Sequence, residues 1–361
     1  MDRSTLIPAL KNVATRLRID SITSTSEAGS GHPTSCCSAA DIVAALFFAE
    51  MRFDPKAPHQ IDSDRFVLSK GHAAPLLYAA WAEAGAFDRG ELLKLRRIDS
   101  DLEGHPTPRL PFVDVATGSL GQGICAAIGT ALNARRIKSD YRTYALLGDG
   151  ESAEGSVWEA ADVAAIDKLD NLCGITDVNG LGQSRPTMWQ HDMEQFARRW
   201  RAFGWHAIVV DGHDLDALLD AYAEARATKG QPTMILARTL KGKGVSFVEG
   251  KDGWHGKPFK KGDELDRALA ELKKQVVSEL PGTDLAGQIP KPAARTSPSH
   301  TSRPVAPPAY KLGDEVATRE AFGTALAKLG EADPRVVALD ADVKNSTFSD
   351  KFEKAFPDRF Y

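Results

Sequence analysis

Asp149 and Asn179 are the residues whose types and spacing most plainly suggest chemistry. Asp149 sits in Gly148-Asp149-Gly150-Glu151, and Asn179 in Asp177-Val178-Asn179-Gly180-Leu181-Gly182. A carboxylate oxygen, a carboxamide oxygen and a backbone carbonyl together make an all-oxygen set that suits Mg²⁺ or Ca²⁺, with a diphosphate completing the shell. The glycines beside Asp149 let backbone N–H groups come close to such phosphates. Alone, Gly-Asp-Gly is ordinary turn chemistry, so the surrounding elements must decide whether the two residues meet.

Those elements read as one β-α-β unit. The apolar run Tyr144 to Leu147 reads as a buried parallel strand ending at Asp149. A helix follows from Ala153 to Lys168, with Val157, Trp158, Ala161, Ala164 and Ala165 on one stripe. A second strand, Leu172 to Val178, ends on Asn179. Parallel strands carry ligands at their carboxyl ends, so the two side chains are expected to emerge side by side.

Other loops hold further candidates. His32, His72, His105 and His255 each lie in a short segment punctuated by glycine or proline. The strand Arg65–Leu68 leads into Ser69-Lys70-Gly71-His72. A strand over Val113–Thr117 is expected to lead into Gly118-Ser119-Leu120-Gly121-Gln122-Gly123 and an Ala-rich helix. Met234–Ala237 leads toward Lys241 and Lys243. The order Gly-x-x-Gly-x-Gly is not the dinucleotide fingerprint, and no Gly-x-x-x-x-Gly-Lys-Ser/Thr occurs. Read from the residues alone, Lys241 is a solvated loop charge, Arg319 a surface arginine, and Ser346 an N-cap for a helix starting near Phe348.

The 361 residues suffice for two or three domains. A net charge of −4 gives no electrostatic reason to expect nucleic acid or an anionic membrane. Cys36, Cys37, Cys125 and Cys173 show no zinc or disulfide spacing and read as buried thiols. The N-terminus reads as an amphipathic helix through Leu6, Leu10, Val13 and Leu17, and Ile42–Ala49 is too short to span a bilayer. A cytoplasmic protein is the default expectation.

Residues 1–280 alternate loop, strand and helix at the pace of an α/β domain. Residues 281–312 are a linker: seven prolines fall between Pro281 and Pro308, with few bulky apolar residues. Residues 313–361 read as the start of a second α/β domain. They comprise a helix over Val316–Leu329, a strand over Val336–Leu339, a turn at Asp340–Asn345 and a helix over Phe348–Phe356. So short a stretch cannot close a sheet, so the sequence is expected to be part of a longer one rather than half of a natural two-gene split.

Taken together, these motifs resemble the transketolase family. The resemblance rests on the loop Gly29–Ser35, the turn Ser69–His72, the stretch Asp114–Gly123, the segment Gly148–Ser184, the loop Lys241–Pro258, Ala317-Thr318-Arg319 and Asp342–Thr347. It implies a thiamin-diphosphate-binding α/β fold, a mostly parallel sheet with helices on both faces. The expected activity is reversible transfer of a two-carbon ketol unit from a ketose phosphate to an aldose phosphate, in the pentose phosphate pathway. It further implies thiamin diphosphate with Mg²⁺ (or Ca²⁺, Mn²⁺), phosphorylated sugar substrates and a homodimer, or a partner chain supplying the missing domain. Asp149, Asn179 and the Leu181 carbonyl would bind the metal. Ser35, His72, Gly118, Ser119, Leu120, Gly150, Asn179 and Lys241 would hold the cofactor. His32, His105 and His255 would contact the donor sugar or reacting carbon, and Glu154 would face the cofactor site and partner subunit. Arg319 and Ser346 would grip the substrate phosphate, and Asp342 would line the site. The family's second-domain glutamate would lie beyond Tyr361, so the chain alone is expected to be inactive. The alternatives are another thiamin-diphosphate enzyme of deoxyxylulose-phosphate synthase type, or a non-catalytic half of a hetero-oligomer.

Overall fold

A five-stranded, wholly parallel sheet positions everything described below. In this computed structural model residues 1–277, 284–293, 295 and 300–361 are described. The strands are β1 (Arg65–Leu68), β2 (Thr143–Gly148), β3 (Leu172–Val178), β4 (His206–Asp211) and β5 (Thr233–Arg238). Their order across the sheet is β1-β2-β3-β5-β4. Gly148 pairs with Asp177, so the residues just after β2 and β3 leave the sheet beside each other.

Side chains alternate between the two faces, as the pleat requires. Tyr144, Leu146, Cys173, Ile175, Ile235 and Ala237 pack on one face against helices α1 (Arg3–Ala28), α2 (Pro33–Ala45) and α3 (Ala74–Glu83). Ala145, Leu147, Leu172, Val178, Met234 and Leu236 pack on the other against α4 (Gln122–Arg136), α5 (Gly155–Ile166) and α6 (Met193–Ala202). Helix α7 (Leu215–Ala227) joins the first face through Leu218 and Tyr222, and α8 (Asp263–Lys273) forms a smaller cluster with Val245, Val248 and Phe259. The α/β expectation holds.

The helix ends follow local chemistry. Asp2 caps α1 through its carboxylate and the Thr5 amide, and Gly29 closes the helix at φ +61°. Pro33 opens α2, where its missing N–H costs nothing. Every residue of α2 is buried, which fits its run of small and apolar side chains.

Several expectations need correction. Residues 113–117 form no strand; Thr117 instead donates to the Leu68 carbonyl at 2.7 Å while Val113 is buried. The helix after Asp149 is preceded by a 3₁₀ turn, Gly150–Ala153, and begins only at Gly155. Its buried stripe is Val157, Ala160, Ala161 and Ala164, with Trp158 half-buried. Cys125 is exposed, unlike the other three cysteines.

The chain divides into two compact units, Met1–Ala294 and Arg295–Tyr361. Part of the expected linker (281–283, 294 and 296–299) lies outside the described residues. Leu285 and Ile289 within it are buried in the first core, and the Pro290 carbonyl accepts from the Phe53 amide at 2.9 Å. Two apolar side chains spaced four apart were enough to dock a segment that composition alone marks as linker.

In the second unit, α9 spans Thr318–Ala332. Phe322 and Leu329 are exposed, while Gly323 and Gly330 pack against Phe348, Phe352 and Phe356. The expected strand at Val336–Leu339 amounts to one parallel bridge between Ala338 and Phe360. The expected helix at Phe348–Phe356 is the shorter α11 (Asp350–Ala355); a separate α10 (Lys344–Thr347) precedes it, ending where Phe348 takes φ +59°.

Candidate active site

The carboxyl ends of β2 and β3 open onto a cleft of about 1070 Å³. The Asp149 carboxylate, 6 % exposed, accepts from the Gly180 amide at 2.7 Å, the Thr187 hydroxyl at 2.9 Å and the Gly150 amide at 2.9 Å. Asp149 and the Asn179 loop are therefore in direct contact. Burial, reinforced by the negative charge of Asp177, pushes the Asp149 carboxyl up to about 6 against those hydrogen bonds.

Asn179 is oriented from below. Its amide nitrogen donates to Asp177 Oδ2 at 3.2 Å, and its amide oxygen accepts from the Leu181 N–H at 3.2 Å. Asp177 is fully buried and also accepts from Lys70 Nζ at 2.5 Å, Ser38 Oγ at 2.6 Å and the Thr239 hydroxyl. Glu151 is buried too, accepting from Ser69, the Gly121 amide and the Gly148 amide, and so ties the start of α4 to the Asp149 turn. Sequence reasoning assigned no role to Lys70, Asp177 or Glu151. The available signal for Asp177 was a lone carboxylate inside the buried strand Leu172–Val178, which requires partners.

Lys241, read from the residues alone as a solvated charge, is 3 % exposed. Its ammonium donates to the Leu181 carbonyl at 2.8 Å, the Gly182 carbonyl at 3.2 Å and His255 Nδ1 at 2.8 Å. Burial, then the nearby Lys70 charge, lowers it to about 8.

His32, His72 and His255 form a triangle, with ring centroids 5.0, 4.9 and 5.4 Å apart. Burial is the first cause of depression in all of them. It is reinforced by His105 and other positive groups for His32, which falls to about 4, and by Lys241 for His255, which falls to about 3. His72 is held well below its ordinary value by burial and Lys70, and His105 is lowered by burial and Arg96. All four rings line the cleft and are neutral near pH 7, so each offers one N–H donor and one acceptor. Gly118, at φ +144°, lies under His105; a Cβ there would come within 3.0 Å of the ring.

Of the expected site residues, His32, Ser35, His72, His105, Gly118, Leu120, Asp149, Gly150, Asn179, Leu181, Lys241 and His255 all line this cleft. Ser119 and Glu154 are exposed and are not among its lining. Arg319, Asp342 and Ser346 lie exposed in the second unit. Arg319 stands over the Phe348 ring, and Ser346 caps no helix through its side chain.

The donor chemistry fits a cation with a diphosphate. Asp149 is a buried carboxylate with no ion-pair partner among the described residues, and the Leu181 carbonyl already attracts an ammonium. No cluster of three or more His, Cys, Asp or Glu side chains forms a metal cage among those residues, so a cation here would draw part of its shell from the ligand. The buried Ser35 Oγ and His32 Nδ1 have no hydrogen-bond partner among the described residues, as expected for atoms that a ligand would satisfy.

A parallel α/β sheet with this loop chemistry at its carboxyl edge defines a diphosphate-cofactor-binding class. The family model of the transketolase thiamine-diphosphate-binding domain matches residues 9–276, and that of the transketolase pyrimidine-binding domain matches 314–361. The chain belongs to the transketolase family. It is 53 % identical to the rat (Rattus norvegicus) transketolase and 54 % to the human (Homo sapiens) one, in each case over 98 % of this chain and 56 % of the relative. It thus spans little more than half the length of these relatives. The Campylobacter jejuni transketolase structure matches with a TM-score of 0.78 at 27 % identity, covering 98 % of this chain and 59 % of that one. The Pichia stipitis transketolase complex with sedoheptulose 7-phosphate matches with 0.78 at 28 %, covering 95 % and 57 %. Among the described residues no helix is long and apolar enough to cross a membrane.

Proposed function

We propose that this chain carries the cofactor-binding part of a transketolase, which moves a two-carbon ketol unit reversibly from a ketose phosphate to an aldose phosphate. The observation that carries the reading is the contact between Asp149 and the Asn179 loop at neighbouring strand ends, above a cleft lined by four neutral histidines. Asp149, Asn179 and the Leu181 carbonyl would hold Mg²⁺, with Ca²⁺ or Mn²⁺ as substitutes. Ser35, His72, the Gly118–Ser119–Leu120 turn, Gly150 and Lys241 would hold thiamin diphosphate.

When bound, the cofactor supplies a carbanion at its thiazolium ring. The chain's own contribution is position and proton management. His32, His105 and His255 would hydrogen-bond the sugar hydroxyls, a task suited to neutral imidazoles with one donor and one acceptor nitrogen each, and would relay the protons that those hydroxyls gain and lose. The Lys241 ammonium would place positive charge beside the diphosphate. Glu154 would face the partner subunit, Arg319 and Ser346 would receive the substrate phosphate, a planar guanidinium being well matched to it, and Asp342 would line the site. The same reading carries a homodimer, a cytoplasmic location and a place in the pentose phosphate pathway.

Calorimetric titration of the chain with thiamin diphosphate, with and without Mg²⁺, tests this. Binding should require Mg²⁺ and vanish in Asp149→Ala. Affinity that ignores both changes would refute the assignment. For activity, ribose 5-phosphate against pyruvate as substrate separates ketol transfer from the synthase-type alternative.

A further inference from the structure

One cation in the cleft wall has no role in the site just described. Arg199 lies on α6 and lines the cleft. Its Cζ stands 3.9 Å from the ring centroid of Trp158 and 4.4 Å from that of Trp189. Both indoles are themselves fixed. Trp158 Nε1 donates to the Ser152 carbonyl at 2.9 Å and its ring leans on Trp200 and Phe203. Trp189 packs edge-on against Phe196 at 5.2 Å. Indole contacts cover the flat of a guanidinium and leave its N–H donors directed outward in the plane of the group.

Those donors meet no acceptor among the described residues. The neighbouring Arg198, by contrast, is bonded to Gln195 at 2.6 Å. Arg199's pKa is lowered by burial alone, with no carboxylate acting on it. The acidic groups of the cleft lining are Asp149 and Glu151. Their hydrogen bonds come from backbone amides and from Thr187 and Ser69. Arg185, Ser184 and Gln183, all exposed, also line the cleft. A half-buried, rigidly held guanidinium with no acceptor among the described residues, in a cleft whose lining includes a second arginine, is a preorganised receptor for an oxyanion.

We propose that Arg199, braced by Trp158 and Trp189 and assisted by Arg185, is an oxyanion subsite in the cleft wall. It takes the phosphate or carboxylate group of a small molecule and is separate from the cation position at Asp149. The subsite stands independently of the cofactor reading because it needs no metal.

The test follows the Arg199 Nε–H resonance of the whole chain, without divalent cations, during titration with inorganic phosphate and, separately, malonate. A saturable shift of that resonance is expected, with Arg198 unmoved. Arg199→Gln should weaken anion binding about tenfold or more, the loss typical of a charge-assisted hydrogen bond, and Arg199→Lys should fall between. Saturation by phosphate alone assigns a phosphoryl ligand; saturation by malonate alone assigns a carboxylate. Absence of a saturable shift with both anions overturns the proposal. So does binding that survives Arg199→Gln unchanged. Should Arg199→Gln fail to fold, the titration of the unaltered chain decides by itself.

Discussion

The ammonium of Lys241 donates to Nδ1 of His255 at 2.8 Å, so two basic side chains share one hydrogen bond. That is stable only while the imidazole is neutral with its proton on Nε2. The two largest causes that hold His255 at about 3 are burial first, then the Lys241 charge. Lys241→Met removes only the second. The His255 pKa should therefore rise in this variant yet stay below the ordinary 6.5, as followed by ¹⁵N chemical shifts of the ring across pH. Full recovery to 6.5 would show that charge, not burial, sets the value.

The same depressed histidines make folding stability pH-dependent, with a definite sign. The unfolded chain protonates its histidines near 6.5, whereas folded His32 resists until about 4 and folded His255 until about 3. Within that window the unfolded state binds more protons, so stability falls as pH drops below about 6.5 and is untouched by these groups above it. Asp149 acts in the opposite sense, since its folded value near 6 lies above the ordinary 3.8. Asp20, Asp64 and Glu151 are raised as well, but the unfolded values of the four lowered histidines His32, His72, His105 and His255 lie between pH 5 and pH 7.5, so a net loss is expected across that interval. Urea midpoints at pH 7.5 and pH 5 should show it, and His32→Gln should flatten the difference.

A buried ion pair next to this loop offers a stability prediction. Arg18 and Asp41 are both buried; the guanidinium bonds the Asp41 carboxylate and donates to the Cys37 carbonyl at 3.1 Å. Burial pushes the Asp41 carboxyl up, but Arg18 and His213 overcome it and hold it at about 2. His213 Nδ1 lies 2.7 Å from Asp41, and its Nε2 accepts from the Leu240 amide at 2.9 Å, one residue before Lys241. Arg18→Met leaves Asp41 buried without its guanidinium. It should cost about 3–5 kcal/mol at pH 7, measured by chemical denaturation. A loss below about 1 kcal/mol would mean that His213 compensates.

How much of this could be read from the residues varies with the range of the interaction. Strands β2, β3 and β5 were visible because unbroken apolar runs buried on both faces need no partner information. Asp149 and Asn179 were legible because strand-end position is a local property of a β-α-β unit. Asp177 and Glu151 were not assigned, since their roles depend on Lys70, Ser38 and Thr239, or on Ser69 and Gly121, which only the fold brings together. The Val113–Thr117 strand failed for the converse reason. Its alternation is real, but the segment spends its hydrogen bonding on Leu68 and Pro106 rather than on a ladder. The burial of Leu285 and Ile289 shows the same limit, because composition reports the average of a segment and docking needs only two side chains.

Close backbone contact at Gly71 links the cleft to the fold. A Cβ at Gly71 would lie 2.7 Å from the Gly118 amide, 2.7 Å from the Thr117 hydroxyl and 2.8 Å from the Thr117 carbonyl carbon. None of these is the free end of a flexible side chain, and Thr117 is pinned by its bond to Leu68. Gly71→Ala should therefore cost about 1–3 kcal/mol, as overpacking does. It should also displace the turn under His105, visible as a change in that ring's resonances. Gly129 is the matched control. It lies on the exposed side of α4 with open space where its Cβ would be, so Gly129→Ala should stabilise by about 0.5–1 kcal/mol through helix propensity. Equal effects of the two substitutions on the thermal midpoint would show that the contact between Gly71 and the Thr117–Gly118 turn carries no strain.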